Sequence, residues 1–435
     1  MRRLAPVFLL LAACAAPSST LSGPPTLRPG RAEAVGFSTS RLARIDTALT
    51  EWVTKGEIPG GVGLVARRGT IVYHQAIGYD DVAAKTPLAK DGIFRIASQT
   101  KAVTSVAVMM LYEEGKFALD DPVSKFIPTF TGQRVLDKFN EKDSSYTTVP
   151  AKRGITVRDL LTHTAGISYP YWGTPWRRIY GNQGLAINHT FGFDAKGETL
   201  AGPMSRLGAA PLVHQPGEKF TYGFNVDLLG YLVEIWSGQT LDGFFQTRIF
   251  GPLGMTDSYF NVPAGKAGRM VTFHRADSVA PLVKRDWLVF PTRDSLPLDF
   301  PLRTKTYFGG GGGLSGTIMD YAVFLQMLAN GGEYRGVRLL APSTVRLMTT
   351  NQIGGLEANE AGDRFGLGFS LVTEKSAGKS PAGLGTYGWG GALSTVYWVD
   401  PVNDLIILFY RQMWGAPRAD IDQRFRALVY QAMVE

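Results

Sequence analysis

Two pairs of β-rich runs lie at opposite ends of the chain and constrain its fold most strongly. Residues 62–66 and 70–77 have the residue types and the intervening turn of a strand hairpin, and residues 395–399 and 405–410 form a similar pair near the other end. The long middle of the chain has the pattern of helices and loops. We therefore expect an α+β protein in which both chain ends build one sheet and a mainly helical part is inserted between them.

An amphipathic helix is predicted beside each pair of strands. Apolar residues recur at helical spacing within residues 40–56 and again within residues 421–432. The hydrophobic content of 45% and the charged content of 19% are those of a globular protein with ample core.

The segment from residue 95 to residue 111 carries the strongest catalytic pattern. Apolar residues recur at helical spacing from Val103 to Leu111, and Gly115 supplies a stop, so we expect a buried helix with Ser98 near its first turn. Ser98 and Lys101 are three residues apart and share a face of that helix. A lysine in an apolar shell is biased toward its neutral form and can accept the serine proton. The pattern indicates a nucleophile with its base beside it.

A second Ser-x-x-Lys match serves as an internal comparison. Ser376 and Lys379 have the same spacing, but they lie in a loop rich in glycine and lysine with no apolar helix behind them. Two fixed positions in four arise by chance in a chain of this length. We therefore interpret the second match as chance and the first as functional.

The distribution of charge argues against nucleic acid as a partner. The formal net charge is +8, but the basic residues are spread along the sequence, and only short pairs such as Arg67-Arg68 are dense. A nucleic-acid-binding protein is expected to show a basic stripe. We therefore expect a small-molecule substrate and no nucleic-acid partner.

The first residues have the pattern of an export signal. Residues 1–13 combine a basic start with an apolar core too short to span a bilayer. Residues 11–14 resemble a bacterial lipobox, which predicts lipidation of Cys14 and a periplasmic, membrane-anchored protein; ordinary cleavage near residues 15–16 is the alternative. Residues 14–35 are then expected to form a flexible tether. Cys14 is the only cysteine, so no internal disulfide can form.

No metal or cofactor is expected. The five histidines show no paired ligand spacing, and His163 is expected to be structural. Residues 311–316 formally match the Gly-x-Gly-x-x-Gly dinucleotide fingerprint, but successive glycines produce that match by accident and no clear βαβ unit surrounds it. We interpret residues 309–313 as a close-packed turn that enters a helix over residues 319–328.

Several landmarks along the chain resemble one family. They are residues 94–101, which read FRIASQTK, and residues 157–167, 251–258 and 309–317, in that order. Together they resemble the serine β-lactamase and penicillin-binding-protein superfamily, and within it the class C-like branch.

This resemblance spans residues 36–435 and implies a fold. The expected architecture is the β-lactamase-like, DD-peptidase fold, an α/β-sandwich whose antiparallel sheet comes from residues 36–95 and 305–435. The inserted, mainly helical part then covers residues 96–304. The site is expected in the cleft between the two parts.

A tyrosine motif extends the resemblance. By its local sequence alone Tyr222 reads as core packing, whereas the resemblance implies that it is the second catalytic base beside the Ser-x-x-Lys pair. The β-lactamases of this branch carry Tyr-x-Asn, but this chain has Phe224 at the third position and Asn225 one step later. The spacing from Tyr222 to the Asp-x-Leu-Gly of residues 227–230 is similar to that of family VIII carboxylesterases and related acyltransferases.

The final landmark departs from the β-lactamases in the same direction. No Lys-Thr-Gly occurs in the sequence, and Trp389-Gly390-Gly391 occupies the matching place, as in the esterase and acyltransferase relatives. An indole in place of a lysine removes a cation suited to a carboxylate and offers an apolar wall. A Trp-Gly turn without function is the alternative interpretation.

The resemblance completes the predicted site. It implies substrate contacts at residues 389–391 and at Phe224 and Asn225. The N–H groups of Ser98 and Ala392 are the expected oxyanion hole, because glycines at this edge let the backbone approach the substrate.

Aromatic residues elsewhere are predicted to form lips over the pocket. They are Tyr169, Tyr171, Trp172 and Trp176, together with the proline-rich segment of residues 281–307. In a loop, such residues can set the acyl-group preference.

These patterns predict a serine hydrolase that cleaves carboxylic esters through an acyl-serine intermediate. The alternatives among enzymes are a D-alanyl-D-alanine peptidase or weak β-lactamase, and an acyltransferase that uses an alcohol in place of water. Outside enzymes, the alternative is a catalytically silent peptidoglycan-binding or sensing lipoprotein. The absence of a Gly-x-Ser-x-Gly motif disfavours an α/β-hydrolase esterase.

Overall fold

The computed structural model describes residues 23–194, 197–277, 280–290, 294–415 and 420–435. The predicted signal peptide and Cys14 lie outside these residues, and so do residues 14–22 of the predicted tether.

Helices and strands are distributed along the whole described chain. The helices are α1 (Thr39–Thr54), α2 (Thr100–Glu113), α3 (Val157–Leu161), α4 (Thr174–Asn182), α5 (Ala201–Leu207), α6 (Asn225–Ser237), α7 (Leu241–Phe245), α8 (Gly251–Leu253), α9 (Ile318–Ala329), α10 (Pro342–Met348), α11 (Glu374–Ala377) and α12 (Ile421–Tyr430). Among these described helices, none is both long and apolar enough to cross a membrane.

The strands are β1 (Arg28–Pro29), β2 (Gly60–Arg67), β3 (Thr70–Asp81), β4 (Thr86–Pro87), β5 (Phe94–Arg95), β6 (Arg134–Phe139), β7 (Tyr146–Pro150), β8 (Ser258–Tyr259), β9 (His274–Asp277), β10 (Ala280–Lys284), β11 (Trp287–Val289), β12 (Ser295–Pro297), β13 (Ser315–Gly316), β14 (Glu333–Tyr334), β15 (Val337–Arg338), β16 (Arg364–Phe365), β17 (Ser370–Leu371), β18 (Tyr387–Gly391), β19 (Thr395–Asp400), β20 (Leu405–Tyr410) and β21 (Met413–Trp414). Many are two-residue pairings, so the long strands at the two chain ends dominate the architecture.

The main sheet is built from both chain ends, as predicted. Its strand order is β1-β3-β2-β20-β19-β18-β17-β16, and β4 also pairs with β3. The strands β2 and β20 come from opposite ends of the chain and run antiparallel, with Val62 opposite Tyr410 and Arg67 opposite Leu405. The α+β fold class is therefore confirmed.

Helices cover both faces of this sheet. All six residues of β20 are buried, which explains why its sequence is apolar without alternation. On one face, α1 and α12 bury Trp52 and Phe425 against Ile407 and Phe409, and the rings of Phe409 and Phe425 stack with their centroids 4.3 Å apart. On the other face, α9 packs against β2 and β20.

Helix α2 lies in the core and positions the candidate site. Every residue from Gly92 to Leu111 is buried except Ser98, which is partly exposed. A helix that is buried all round is typical of a protein interior. The helix ends before Gly115, as predicted, and this glycine adopts a left-handed φ of 71°.

The folded domain begins earlier than predicted. Leu27 is 7% exposed and packs in the main core, β1 pairs in parallel with β3, and Ala32–Val35 form a 3₁₀ turn. The tether boundary at residue 35 is therefore corrected: residues 27–35 belong to the fold because their few apolar side chains are buried there.

The inserted part is helical from α2 to α8 but also contains small sheets. β6 and β7 form one hairpin, and β11 and β12 form another. β21 follows the last long strand of the main sheet and pairs in parallel with β9. This pairing brings the C-terminal region of the chain to the inserted part, beside the cavity described below.

Candidate active site

Ser98 lies in a 3₁₀ turn, Ala97–Gln99, that leads into α2. The preceding residue, Ala97, has a φ of 44°, a left-handed conformation that is costly for a residue other than glycine. Thr100 holds this turn, because its hydroxyl donates to Ala97 O at 2.6 Å and accepts from Leu314 N at 3.1 Å. The turn presents Ser98 at the edge of an otherwise buried segment.

The structure brings Lys101 to Ser98. Lys101 is 3% exposed, and its Nζ donates to Ser98 Oγ at 3.3 Å. Nζ also donates to Gly311 O at 2.5 Å and lies 4.6 Å from the centroid of the Tyr222 ring. The expected apolar shell is thus incomplete, because a carbonyl oxygen and an aromatic face both favour positive charge at Nζ.

Tyr222 faces Lys101 and is fixed by three neighbours. Trp389 Nε1 donates to the Tyr222 hydroxyl at 3.2 Å, and Trp172 Nε1 donates to the Tyr222 carbonyl oxygen at 3.1 Å. The imidazole of His163 packs on the Tyr222 ring at a centroid distance of 4.7 Å. The structure therefore brings the predicted serine, lysine and tyrosine together, with the tryptophan beside them.

His163 supports Tyr222 as a neutral ring. Burial, reinforced by the positive charge of Lys101, lowers the pKa of the His163 imidazole well below its ordinary value. Asn225 Nδ2 donates to His163 Nδ1 at 2.9 Å, which a neutral imidazole permits. His163 is thus the structural histidine that the sequence analysis expected.

The structure does not bring Phe224 and Asn225 to the cavity, and their predicted substrate contacts are corrected. Both residues are 0% exposed. The Phe224 ring packs against Tyr169 and Tyr180 at centroid distances of 4.8 and 6.0 Å. The amide of Asn225 is engaged by His163. The reason is local: α6 begins at Asn225, and its first turn points both side chains into the core.

The end of strand β18 forms the edge of the site. Trp389, Gly390 and Gly391 are its last residues, and Ala392 follows. A Cβ on Gly391 would lie 2.3 Å from Ile96 O, so only glycine lets this strand approach the turn that carries the serine. Ala392 and the serine line the same cavity. Residues that contribute N–H groups to one oxyanion hole must border the same cavity, and these two residues do.

A cavity of about 630 Å³ opens in front of Ser98. None of its lining residues in the described chain is an aspartate, glutamate, lysine, arginine or histidine. Apart from Ser98, Tyr222 and residues 389–392, the wall consists of Tyr171, Trp172, Phe191, Phe290 and Trp414. An aromatic wall of this kind favours an apolar, uncharged ligand.

The prediction that aromatic residues form lips over the pocket is partly correct. Tyr171, Trp172 and Phe290, which lies in the predicted segment of residues 281–307, line the cavity. Tyr169 and Trp176 are instead 1% and 8% exposed and pack behind the wall.

Phe191 and Trp414 also line the cavity, and neither was predicted from the sequence. Trp414 lies in β21 and reaches the site only because that strand pairs with β9. Its ring meets Phe290 edge-on at 5.7 Å, and the ring of Phe191 lies 5.9 Å from Phe290. The available signal in the sequence was a tryptophan four residues after the end of β20.

The glycine run of residues 309–313 lies behind Lys101 and packs tightly. Gly310 O accepts a hydrogen bond from Thr104 Oγ1 at 2.8 Å, and a Cβ on Gly312 would lie 2.2 Å from Thr190 O. The run leads to α9, so the predicted close-packed turn before a helix is confirmed. In the part of the chain described, no three His, Cys, Asp or Glu side chains are grouped as metal ligands would be.

Comparisons with known proteins agree on one family. The Beta-lactamase family model matches residues 45–431. Esterase EstB of Burkholderia gladioli is 30% identical over 379 residues, which cover 85% of this chain and 90% of the relative. Monacolin J acid methylbutanoyltransferase of Aspergillus terreus is 30% identical over 421 residues, covering 89% and 95%. The solved structure of EstCE1, titled a hydrolase with promiscuous acyltransferase activity, matches with a TM-score of 0.75 and 25% identity, covering 91% of this chain and 99% of that one.

Proposed function

Because this chain belongs to the Beta-lactamase family, whose members are serine hydrolases and acyltransferases, we propose that it hydrolyses carboxylic esters through an acyl-serine intermediate. The observation that carries the proposal is the contact of 3.3 Å between Lys101 Nζ and Ser98 Oγ at an uncharged aromatic cavity. The likeness to an esterase over most of both chains supports it.

In the proposed reaction, Tyr222 acts as a phenolate base: Ser98 Oγ attacks the carbonyl carbon of the ester as its proton passes to the Tyr222 oxygen. The positive charge of Lys101, 4.6 Å from the centroid of the Tyr222 ring, and the Trp389 N–H group, 3.2 Å from the Tyr222 oxygen, stabilise the phenolate until it takes the proton. The N–H groups of Ser98 and Ala392 bind the oxyanion. The C–O bond to the alcohol then breaks, and the departing alcohol takes the proton.

Deacylation uses the same groups. Water gives a proton to Tyr222 and attacks the acyl-serine carbonyl, the bond to Ser98 Oγ breaks, and the proton returns to the serine. The products are a carboxylic acid and the alcohol released earlier, and the site returns to its starting state.

The cavity wall supports neutral esters over β-lactams. A penicillin carries a carboxylate, which is best bound by a cation, whereas this wall has an indole at residue 389 and no basic side chain among its described members. A neutral ester loses little solvation in such a site. The D-alanyl-D-alanine peptidase and β-lactamase alternatives require an anionic substrate and are therefore disfavoured.

A panel of p-nitrophenyl esters of increasing acyl length, run beside a chromogenic cephalosporin, tests the proposal. We expect turnover of the esters that exceeds turnover of the cephalosporin, and loss of both in Ser98→Ala. Ester hydrolysis that survives in Ser98→Ala would overturn the proposal. Faster turnover of the cephalosporin would establish the β-lactamase alternative instead.

Acyl transfer to an alcohol is a second candidate. The size and apolar wall of the cavity allow an organic alcohol to occupy it with the acyl group, and two of the similar proteins are named for acyl transfer. Adding a primary alcohol to the esterase assay distinguishes the reactions. A new ester product marks transfer, and free acid alone marks hydrolysis.

We also propose that the protein is exported and lipidated at Cys14. The basic start and apolar core of residues 1–13 and the lipobox-like residues 11–14 support this proposal. Full-length protein expressed in bacteria should incorporate labelled palmitate and sediment with membranes, and Cys14→Ala should abolish both. Equal labelling of the variant, or a wild-type chain that stays in the cytoplasm, would contradict it.

A further inference from the structure

Asp227 lies behind the site and has no role in the reaction proposed above. It sits in the first turn of α6, is 0% exposed, and belongs to the tyrosine motif by sequence. The glycine run of residues 309–313 is equally unused by that reaction. The structure joins these two features directly.

A single glycine links the carboxylate of Asp227 to the catalytic lysine. Gly311 N donates to Asp227 Oδ1 at 3.1 Å, and Gly311 O accepts from Lys101 Nζ at 2.5 Å. Tyr169 adds a longer contact, from its hydroxyl to Asp227 Oδ2 at 3.5 Å. The carboxylate and the ammonium therefore bind the same residue of the glycine run, one through its N–H group and the other through its carbonyl.

The glycine residues are what allow this link. A Cβ on Gly311 would lie 2.2 Å from Asp227 Oδ2, and a Cβ on Gly309 would lie 3.1 Å from Asp227 Oδ1. The carboxylate thus packs directly on backbone, where side chains would hold it away. This packing explains why the chain carries glycine at these two positions.

Lys101 is the cation that acts on Asp227. Burial raises the pKa of the Asp227 carboxyl to about 7, and the positive charge of Lys101 opposes that rise. The other titratable groups around the carboxyl are the hydroxyls of Tyr169, Tyr171 and Tyr307, whose pKa values are raised by burial and further by Asp227, so these groups stay neutral.

We propose that Asp227 is a positioning residue: its carboxylate, acting through Gly311, holds the Lys101 ammonium against Ser98. This inference rests on the acyl-serine reaction proposed above. Protonation of Asp227, or its replacement by asparagine, leaves a hydrogen-bond acceptor for Gly311 N but removes the negative charge that accompanies the ammonium.

The variant Asp227→Asn tests this role through the pH profile of kcat/KM for p-nitrophenyl butyrate. In the wild type, activity falls as pH drops through about 7, because Asp227 gains a proton; in the variant this acid limb is absent. We expect kcat to fall and KM to change little, because Asp227 lies outside the cavity wall.

Two variants serve as matched controls. Asp320→Asn removes another buried carboxylate, whose pKa is raised to about 6 mainly by burial and which accepts from Asp257 N and Ser258 Oγ. Thr104→Val removes the other side-chain hydrogen bond to the glycine run, at Gly310 O, without changing a charge. Both can lower the melting temperature, but neither should move a limb of the pH profile.

A folded Asp227→Asn enzyme that keeps the acid limb and the kcat of the wild type would overturn the proposal. Should that variant fail to fold, Gly311→Ala tests the same link, because its Cβ displaces the carboxylate; we expect a lower kcat with KM retained, and a wild-type kcat would overturn the proposal. Ser98→Ala separates this test from that of the reaction. An inactive Ser98→Ala beside an unshifted Asp227→Asn refutes the positioning role alone, whereas an active Ser98→Ala refutes the reaction.

Discussion

Ser98 and Ser376 are each followed three residues later by a lysine, yet the two pairs have opposite surroundings. Ser98 is the partly exposed member of a buried segment, and Lys101 is 3% exposed beneath it. Ser376 is itself 5% exposed, whereas Lys379 is exposed and its Nζ donates to Ala361 O at 2.7 Å. The first pair thus places a hydroxyl at a cavity with an amine behind it, and the second buries the hydroxyl and exposes the amine.

Helix length explains the difference. Helix α2 continues for 14 residues, so Lys101 stays on the face of Ser98. Helix α11 has 4 residues and ends at Ala377, before Lys379 is reached. The Ser376 hydroxyl is also occupied, since it accepts from Thr373 N at 3.0 Å and caps its own helix. A Ser-x-x-Lys pattern therefore brings the hydroxyl and the amine together only where a helix continues past the lysine.

The largest difference in kcat is expected between the alanine variants of the two serines. Ser98→Ala should lower kcat for p-nitrophenyl butyrate by about 10⁴-fold or more, because the nucleophile is lost. Ser376→Ala should leave kcat unchanged and lower only the melting temperature. Comparable losses in both variants would mean that the comparison between the pairs is wrong.

The lysines should show the next largest difference. Lys101→Met should lower kcat by about 10²–10³-fold, the usual cost of losing one group that stabilises charge in the transition state. Lys379→Met should change neither kcat nor KM, since its exposed amine donates to the backbone carbonyls of residues 360 and 361, away from the cavity. Steady-state kinetics of the two purified variants measure this, and an active Lys101→Met enzyme would remove the lysine from the mechanism.

A smaller effect is expected at Trp389. Trp389→Phe keeps an aromatic wall but removes the N–H donor to the Tyr222 hydroxyl, so kcat should fall by about tenfold, the value of one hydrogen bond. Trp398→Phe, on the adjacent strand β19, is the control and should retain wild-type kcat. If both variants kept full activity, the indole would have no role beyond packing.

Lys305 offers a contrast with Lys101 that affects stability and not turnover. Lys305 is 6% exposed, its Nζ has no hydrogen-bond partner among the described residues, and it lies 4.9 Å from the Phe300 ring. Burial lowers the pKa of its amine to about 7. In the unfolded chain the amine binds a proton below its ordinary pKa of about 10.4, so the free energy of unfolding falls as pH drops from about 10 to about 7.

Lys305→Met should remove that dependence. Urea denaturation should show a free energy of unfolding higher by a few kcal/mol at about pH 8, with a flatter dependence between about pH 7 and about pH 10. Ester turnover should equal that of the wild type. An unchanged slope of stability against pH would show that the amine is solvated in the folded protein.

The elements that could be predicted from the sequence are those whose apolar residues repeat with the period of a helix or strand. The hairpin of β2 and β3, the pair β19 and β20, and helix α2 with Ser98 and Lys101 follow from apolar spacing and turns. Tyr222 needed a family resemblance, because nothing local separates a catalytic tyrosine from a buried one. Phe224 and Asn225 were wrongly predicted to contact substrate. The asparagine stands one residue later than in the Tyr-x-Asn motif, and at the start of α6 both side chains are buried in the core.

The remaining errors came from contacts between distant residues. Trp414 reaches the cavity through the pairing of β21 with β9, which joins segments more than a hundred residues apart, and no periodicity records such a pairing. The tether was drawn too long for a related reason. Its proline-rich composition is typical of a linker, but Leu27 finds a place in a core that the rest of the chain builds.

The central claim is that Ser98 carries the acyl group during turnover. Intact-protein mass spectrometry of enzyme quenched with acid during hydrolysis of p-nitrophenyl butyrate tests it most directly. We expect a mass increase of one butyryl group, mapped by peptide fragmentation to Ser98 and absent from Ser98→Ala. A butyryl group on a different residue, or continued turnover by Ser98→Ala, would contradict it.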